Sequence, residues 1–566
     1  MKTKKFLPLV ILPLGLGLAL YIFIAQSATP TGANWVVDRL DDPTLPDGSA
    51  CTDAPNDCSL RGAISVYNSG DMITFEITGT ATITNGEMLI TNGDLTILGP
   101  GTEDLIISAG NASRIFFISP GQQVNISGVT LRDGFASQGG AIFNDRSALI
   151  LENCLLTNNT AEDHGGAIYN AANNVVPQAG PAPAASVLIN NCIVSNNAAS
   201  GIDDDDQLGG GDPTGIGGAI YNSALETGAT AAVTITHSIL SGNSADDDFY
   251  AGGAITNFAR NAHATVHIAD STLSANTALY GDGGAIANYA LDEGATAAIT
   301  VLNSTMSNNS TGSDFGGGGA IFSFAYNRDT TGLTAATLYL EKSTFDGNMA
   351  SADRGGAVFN GALDSSSTAI AHILNSTFSG NQAADVGGAI ANDAYNRDAF
   401  GETNATIHIT HATFMGNEAG SGGAISNVAV NGEGVVVLLH LKNSLIHHST
   451  GGDCLNNGMV DGANNLIDDT TCGSDSPFRL GTPTLVDLTL QDNGGTTFTH
   501  ALLEGSNAED AVPDGECTVV NTTTPVTEDQ RSEPRPLGAV CDVGAVEGTI
   551  PSEPPAAFIY LPLVHK

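Results

Sequence analysis

The chain has 566 residues and a formal net charge of −42, because 60 Asp and Glu residues outnumber 18 Lys and Arg. Nucleic acids and anionic lipids are bound through Lys and Arg, so this charge argues against both, and we expect no nucleic-acid partner. Apolar residues make up 42% of the sequence and recur with a fixed period, which excludes a disordered chain.

Residues 1–27 are typical of a signal peptide. Three lysines precede an apolar stretch at 6–24, and residues 25–27 (Ala-Gln-Ser) form a small-x-small cleavage site. The apolar stretch is also close to the roughly 20 residues that span a bilayer, so an uncleaved N-terminal anchor stays open. Either way, we expect a secreted or cell-surface protein that touches the membrane only through this leader or an unknown C-terminal anchor.

The segment from 28 to 70 is not repetitive, unlike the residues after it. It contains residues 57–64 (Asp-Cys-Ser-Leu-Arg-Gly-Ala-Ile) and leads into 70–75 (Gly-Asp-Met-Ile-Thr-Phe). This resembles the exported-protein module named for its Cys-Ser-Leu-Arg-Glu-Ala signature, with Gly62 in place of the usual Glu. The resemblance implies an N-terminal cap over residues 28–70.

A repeated tetrapeptide dominates residues 71–450. Gly-Gly-Ala-Ile, with Val for Ile in one copy, is followed two residues later by Asn, or in one copy by Ser323. Between copies lies an alternating apolar segment, followed by a Ser-Thr-Phe-Ser-Gly-Asn-like run. Two core positions, such as Ile235 and Leu240, stand five residues apart, and Asn follows three residues later, as Asn243 does. The copies begin at Gly139, Gly165, Gly217, Gly252, Gly283, Gly318, Gly355, Gly387 and Gly422.

This pattern predicts the fold. Alternation over four to eight residues favours strands over helices, and a Gly pair permits a tight corner. Three short strands per repeat, with insertions confined to two loop positions, predict an all-β, right-handed parallel β-helix of the pectin-lyase-like class. We expect the Ile, Phe and Leu positions, Phe378 among them, to stack into a continuous core that the two flanks cap.

Asn at recurring turn positions is expected to hydrogen-bond its counterpart in the next coil, which forms a ladder. Several of these Asn residues also stand in N-x-Ser/Thr sequons; we assign four of them to the ladder and regard glycosylation as the weaker interpretation. They are Asn158, Asn303, Asn308 and Asn375.

The repeat, with Phe-x-x-Asn segments at 345–348 and 378–381, resembles that of the polymorphic outer-membrane proteins. Their passenger regions are β-helices linked to adhesion, so the resemblance implies an adhesin-like role. Residues 451–548 contain Asp-Asn-Gly-Gly-Thr-Thr-Phe at 492–498 and end in Cys-Asp-Val-Gly-Ala-Val-Glu at 541–547. They are similar to the choice-of-anchor-Q region of surface proteins, and a Pro-rich linker with a short tail occupies 549–566.

Eight cysteines fit an oxidising compartment. Six lie close in pairs within the non-repetitive flanks, where core burial is weakest, so we predict three disulfides there. Cys154 and Cys192 share one repeat position, about one strand spacing (~4.8 Å) apart; this allows a fourth bridge, and two buried thiols are the alternative. The predicted pairs are Cys51–Cys58, Cys454–Cys472 and Cys517–Cys541.

The sequence Tyr-Asn-Arg-Asp occurs twice, at 326–329 and 395–398, at the same loop position two coils apart. Tyr and Arg are frequent at binding hot spots, so we predict a glycan-facing patch here. A copied loop with a local Arg–Asp pair is the alternative. The candidate ligand-binding residues are Tyr326, Arg328, Asp329, Tyr395, Arg397 and Asp398.

Aspartates at 203–206 and 246–248 occupy variable loops and offer oxygen ligands for Ca²⁺. They lack the spacing of a committed site, and solvated acidic loops are the alternative. We predict no other cofactor, and the identity of any metal is open.

Two functions are compatible with these observations. We favour a non-catalytic scaffold that binds an extracellular glycan or protein ligand, and no catalytic residue is assigned. The alternative is a polysaccharide lyase or glycoside hydrolase, because the same fold hosts such enzymes and fold alone does not decide function. An enzyme would gather carboxylates and a base in one groove, whereas a scaffold would scatter its acids.

Overall fold

The computed structural model describes residues 32–550, except 53, 174–181, 202–214, 247–249, 314–316, 329–331, 398–400, 431–432 and 474–477. Each full coil passes in turn through four parallel sheets, named I to IV, and every strand pairs in parallel with its equivalent in the next coil. The chain is therefore a right-handed parallel β-helix, as predicted. We predicted three strands per coil, and this count was wrong. The strands of sheet III were missed because most of them have only two residues and therefore show no alternation.

Sheets I and II carry the alternating segment and the Ser-Thr-Phe-Ser-like run. The strands of sheet I are Asn34–Val37, Asp71–Phe75, Leu95–Leu98, Gln123–Ser127, Ala148–Glu152, Ala184–Asn190, Thr230–Thr236, His263–Ala269, Thr296–Leu302, Thr334–Glu341, Ser367–Leu374, Thr403–Thr410, Val435–Lys442 and Met459–Ala463. Those of sheet II are Gly79–Thr82, Leu105–Ser108, Thr130–Arg132, Leu155–Thr157, Ile193–Ser195, Ile239–Ser241, Thr272–Ser274, Thr305–Ser307, Thr344–Asp346, Thr377–Ser379, Thr413–Met415, Leu445–His447, Asn465–Ile467 and Arg479–Gly481.

Sheets III and IV lie on either side of the Gly-Gly corner. The strands of sheet III are Phe135–Gln138, Thr160–His164, Ala198–Ala199, Ser244–Ala245, Thr277–Ala278, Ser310–Thr311, Met349–Ala350 and Gln382–Ala383. Those of sheet IV are Met88–Ile90, Phe116–Ile118, Ile142–Asp145, Ile168–Ala172, Ile220–Ala224, Ile255–Arg260, Ile286–Leu291, Ile321–Tyr326, Val358–Leu363, Ile390–Tyr395, Ile425–Val430 and Cys454–Asn456. The sheets thus begin before residue 71 and continue past residue 450.

The core is a stack of equivalent side chains. Ile235 and Leu240, the predicted core pair of one coil, are both fully buried. Phe378 is also fully buried, and its ring stacks on Phe345 at 4.8 Å and on Phe414 at 5.0 Å between ring centroids. These spacings match the distance between strands, so one side chain per coil fills each level of the core.

The Gly pair forms the corner between sheets III and IV. Gly165 has φ +64°, which side-chain-bearing residues rarely adopt. A Cβ on Gly166 would lie 2.1 Å from the carbonyl oxygen of Gly218 in the next coil. Both positions therefore require glycine.

Two ladders of buried Asn side chains run along the helix. The first follows Gly-Gly-Ala-Ile, with Nδ2 donating to the next Oδ1 at 2.7 or 2.8 Å in each Asn–Asn step. The second lies after sheet II, at 2.9 or 3.0 Å. Its members are Asn159, Asn197, Asn243, Asn276, Asn309, Asn348, Asn381 and Asn417.

The four sequon residues that we assigned to the ladder do not belong to either ladder, so that assignment was wrong. The ladder uses Asn159 and Asn309, which directly follow Asn158 and Asn308. Asn158, Asn303, Asn308 and Asn375 instead occupy left-handed corners with φ between 45° and 55°, a conformation that Asn tolerates better than most residues.

The three predicted disulfides are present: Cys51–Cys58, Cys454–Cys472 and Cys517–Cys541. Cys154 and Cys192 are buried free thiols, and Cys192 Sγ accepts a hydrogen bond from the Cys154 backbone N–H at 3.2 Å. The fourth bridge is therefore not formed.

The two flanks are placed differently. At the N-terminal end, the helix Leu60–Val66 buries Leu60, Ala63 and Ile64 against the first coils. Residues 482–550, which include the paired strands Leu502–Leu503 and Thr549–Ile550, turn back along the outer face of sheet II. A second apolar cluster forms there, in which Met415, Leu445 and Leu466 of sheet II pack against side chains of this segment.

Polar contacts also fix this C-terminal segment. Arg535 is fully buried, forms an ion pair with Glu547 at 2.8 Å and donates to Nδ1 of His411 at 2.6 Å. Gln530 donates to Thr344 Oγ1 at 2.9 Å, and the Ala545 N–H donates to Thr413 Oγ1 at 2.9 Å. These hydrogen bonds hold the C-terminal segment to several coils along the outer face of sheet II.

Candidate functional site

The outer face of sheet IV carries a row of aromatic rings. Strand alternation points the Ile and Asn of each Gly-Gly-Ala-Ile-x-Asn run inward, so the residue between them and the residue after Asn point outward. Tyr169 stacks on Tyr221 at 5.3 Å, and Phe322 stacks on Phe359 at 4.8 Å. Between these two pairs the row passes through Phe258 and Tyr289, which follow the Asn, with ring centroids 5.3 to 6.4 Å apart at each step.

The row opens into a groove of about 350 Å³, whose lining residues lie between Tyr250 and Val430. Gly361 shapes it: a Cβ there would lie 2.3 Å from the Phe359 ring and 2.9 Å from the Phe324 ring. The missing side chain therefore leaves room for both rings. The lining comprises Tyr250, Asp282, Tyr289, Phe322, Phe324, Tyr326, Asp353, Arg354, Phe359, Ala362, Leu363, Asp393, Ala394, Tyr395, Arg397 and Val430.

Arg354 connects two carboxylates in this groove. Its Nε donates to Asp353 at 2.9 Å, and its Nη1 donates to Asp393 Oδ2 at 2.5 Å. Burial raises the pKa of Asp393 to about 6, and Arg354 only partly opposes that shift. Asp393 Oδ1 is buried and has no hydrogen-bond partner among the described residues.

Tyr326, Tyr395 and Arg397 of the predicted patch lie together at one side of the groove. Tyr326 and Tyr395 are separated by one intervening strand, whose Leu363 pairs with both. Arg397 donates to the Tyr326 hydroxyl at 2.7 Å, and its guanidinium lies 5.3 Å from the centre of that ring. The hydroxyl contact joins the two copies of the motif.

The Arg residues of the motif pair with the preceding coil. Arg397 Nε lies 3.1 Å from both carboxylate oxygens of Asp364, and Arg328 Nε donates to Asp292 at 2.7 Å. Arg328 does not line the groove. The predicted partners Asp329 and Asp398 lie outside the described residues, as do the acidic loop residues 203–206, 247 and 248.

Within the described ranges, no group of three or more His, Cys, Asp or Glu side chains is arranged to hold a metal ion. The same part of the chain contains no helix long and apolar enough to cross a membrane. The proposed Ca²⁺ loops stay a prediction.

Several groove residues were not predicted. Strand alternation could have identified four of them, because they occupy the outward positions on either side of the repeat Asn, or of Ser323 in the copy that lacks it: Phe322, Phe324, Phe359 and Asp393. Arg354 precedes a Gly-Gly pair in a variable loop, and no sequence pattern marks its contact with Asp393 in the following coil.

A model of the Chlamydia polymorphic membrane protein repeat matches residues 153–171 and 375–393. Each segment runs from the corner before sheet II to a strand of sheet IV, and the second ends at Asp393. The matches cover only these two short segments of the chain. No curated protein sequence matches the chain significantly.

Three solved structures resemble the chain weakly. A PL6 alginate lyase in complex with a trisaccharide is 12% identical, with 84% of this chain and 91% of that chain covered and a TM-score of 0.33. The catalytic unit of a GH87 α-1,3-glucanase from Streptomyces thermodiastaticus strain HF3-3 is 14% identical, with 73% and 67% covered and a TM-score of 0.29. A rhamnogalacturonan lyase is 10% identical, with 78% and 89% covered and a TM-score of 0.22. Likenesses at this level do not bear on function.

Proposed function

We propose that this protein is exported and binds a glycan in the groove on sheet IV, as a non-catalytic secreted or cell-surface scaffold. The observation that carries the proposal is the groove itself, in which aromatic rings surround a few fixed polar groups. Small-ligand sites have this composition: apolar walls provide contact area, and a few polar groups fix orientation. Sugar rings suit it, because their C–H faces pack on aromatic rings while their hydroxyls form hydrogen bonds.

Location outside the cytoplasm is supported by three disulfides, which persist in oxidising compartments. The leader sequence at 1–27 and the two repeat segments at 153–171 and 375–393 point in the same direction. None of these features identifies the anchor, so secreted and surface-bound forms belong to the same proposal.

The test uses one residue at the rim of the groove. Tyr395 is 39% exposed, so its replacement by Ala removes contact area for a ligand and little of the core. We expect Tyr395→Ala to weaken binding to the glycans that the purified wild type captures on an array by at least about thirtyfold, which corresponds to a hot-spot loss of about 2 kcal/mol. Tyr339→Ala, which removes an outward Tyr from sheet I, is the matched control and keeps full binding.

A glycan-cleaving enzyme is the second candidate, favoured by one specific observation. Asp393 has a pKa raised to about 6 and shares Arg354 with Asp353. Glycoside hydrolysis uses a carboxyl pair in which one member stays protonated near neutral pH. New reducing ends or unsaturated products from a bound glycan, lost in Asp393→Asn, would replace the scaffold proposal with the enzyme.

A further inference from the structure

We propose that the groove selects uncharged sugars over uronates, and that Asp393 Oδ1 accepts a hydrogen bond from a sugar hydroxyl or acetamido N–H. This rests on the proposed glycan-binding function and names the chemical class of its ligand. Three independent features of the groove lead to it: the state of its guanidinium groups, the sign of its charge and an unused buried acceptor.

The guanidinium groups that line the groove are already engaged. Arg354 holds Asp353 and Asp393, and Arg397 holds Asp364 through both carboxylate oxygens. Recognition of a uronate depends on a guanidinium that offers two parallel N–H groups to the sugar carboxylate. On both groups, each pair of adjacent nitrogens that could hold a sugar carboxylate includes one that already donates to an internal carboxylate. A uronate therefore competes with a buried carboxylate, which would lose part of its pairing if the uronate bound.

The charge of the lining also opposes an acidic ligand. Three carboxylates face the groove (Asp282, Asp353 and Asp393) against two guanidinium groups. All three carboxylates are buried, and charges in such surroundings are less screened than charges in water. The net charge of −42 adds a long-range repulsion of polyanions, which neutral polysaccharides do not meet.

The third feature requires a hydrogen-bond donor. Asp393 is 6% exposed, and its Oδ1 has no hydrogen-bond partner among the described residues, although Oδ2 is held by Arg354. A buried acceptor without a donor is costly, so a ligand that brings a donor gains affinity by relieving that cost. Hydroxyl and acetamido groups provide donors, whereas an ionised carboxylate provides only acceptors.

The repeat provides a matched control. Asp145 stands at the same repeat position as Asp393, on the same face of sheet IV, but it lies outside the groove and pairs with Arg146. Replacement of either Asp by Leu removes one carboxylate of the same kind. Only the change at Asp393 also removes the unused acceptor and releases Nη1 of Arg354.

The experiment measures binding at pH 7 by calorimetry, with hexamers of β-1,4-glucose and β-1,4-N-acetylglucosamine as neutral probes. Hexamers of galacturonate and of mannuronate are the acidic probes. We expect a neutral hexamer to bind at least tenfold more tightly than either acidic one at low salt, and the difference to shrink at high salt. Asp393→Leu is expected to weaken neutral binding at least tenfold and to strengthen acidic binding, whereas Asp145→Leu changes neither.

If Asp393→Leu fails to fold, as judged by circular dichroism, Asp393→Asn takes its place. It keeps the shape and an oxygen for Arg354 but presents an N–H₂ donor where Oδ1 was. We expect stronger acidic binding, as for Leu, with a smaller loss of neutral binding, because a sugar hydroxyl can also accept from that donor. Equal or tighter binding of an acidic hexamer overturns the selectivity and leaves glycan binding intact. If no hexamer and no array glycan binds, the proposed function fails, and this inference fails with it.

Discussion

Asn309→Ala tests the second Asn ladder, because Asn309 is fully buried and forms four side-chain hydrogen bonds. Its Nδ2 donates to Leu273 O at 3.0 Å and to Asn348 Oδ1 at 2.9 Å. Its Oδ1 accepts from the N–H of Asn276 at 3.0 Å and from Nδ2 of Asn276 at 2.9 Å. At about 1 kcal/mol net per bond, the variant should lose about 4 kcal/mol of unfolding free energy.

The adjacent residue is the control. Asn308 is exposed and has φ +54°, so Asn308→Gly keeps the corner and removes no ladder bond. Urea denaturation followed by far-ultraviolet circular dichroism gives both free energies, and hydrogen exchange of the amides near residue 309 reports the loss locally if the coils unfold in stages. A loss below 1 kcal/mol for Asn309→Ala, or an equal loss for Asn308→Gly, would refute the ladder as a source of stability.

Two further predictions concern the core and the C-terminal segment. Phe378→Ala should cost about 3–5 kcal/mol in the same denaturation assay, because the ring is fully buried between two others; a loss below 1 kcal/mol would mean that the ring faces solvent. Burial lowers the pKa of His500 to about 4 from an ordinary 6.5, so the unfolded state binds the proton first as pH falls. The contribution of neutral His500 to the free energy of unfolding is complete above pH 6.5. It should decrease as the pH falls, with a loss of about 3 kcal/mol by pH 4. Melting temperatures measured across this range should fall less steeply in His500→Gln, and parallel curves would contradict the assignment.

The sequence predicted the coil well where a pattern with period two governs it. The five-residue spacing of Ile235 and Leu240 identified side chains that are fully buried, since any slip would turn them outward. It failed where geometry depends on a single corner residue: Asn308 and Asn309 have the same side chain, and only the backbone angle decides which one joins the ladder.

The groove could be predicted only in part. Tyr326 and Tyr395 were identified because their loop sequence recurs, but the sequence did not indicate that Arg328 and Arg397 pair with Asp292 and Asp364 of the preceding coil. Contacts between coils join residues some 30 to 40 positions apart, and loop length changes that interval from coil to coil. The contact between Arg354 and Asp393 therefore could not be predicted from a fixed spacing in the sequence.

The C-terminal segment along sheet II has a consequence for biosynthesis. The early coils can stack one after another as the chain emerges, since each needs only its predecessor. The later coils need the C-terminal segment, which is synthesised last. Lys342 contacts Ser532 of this segment, and Thr413 contacts Ala545. A chain cut short before residue 482 would leave Met415, Leu445 and Leu466 without their cover. We expect such truncated chains to aggregate during export, so that only full-length molecules reach the outside.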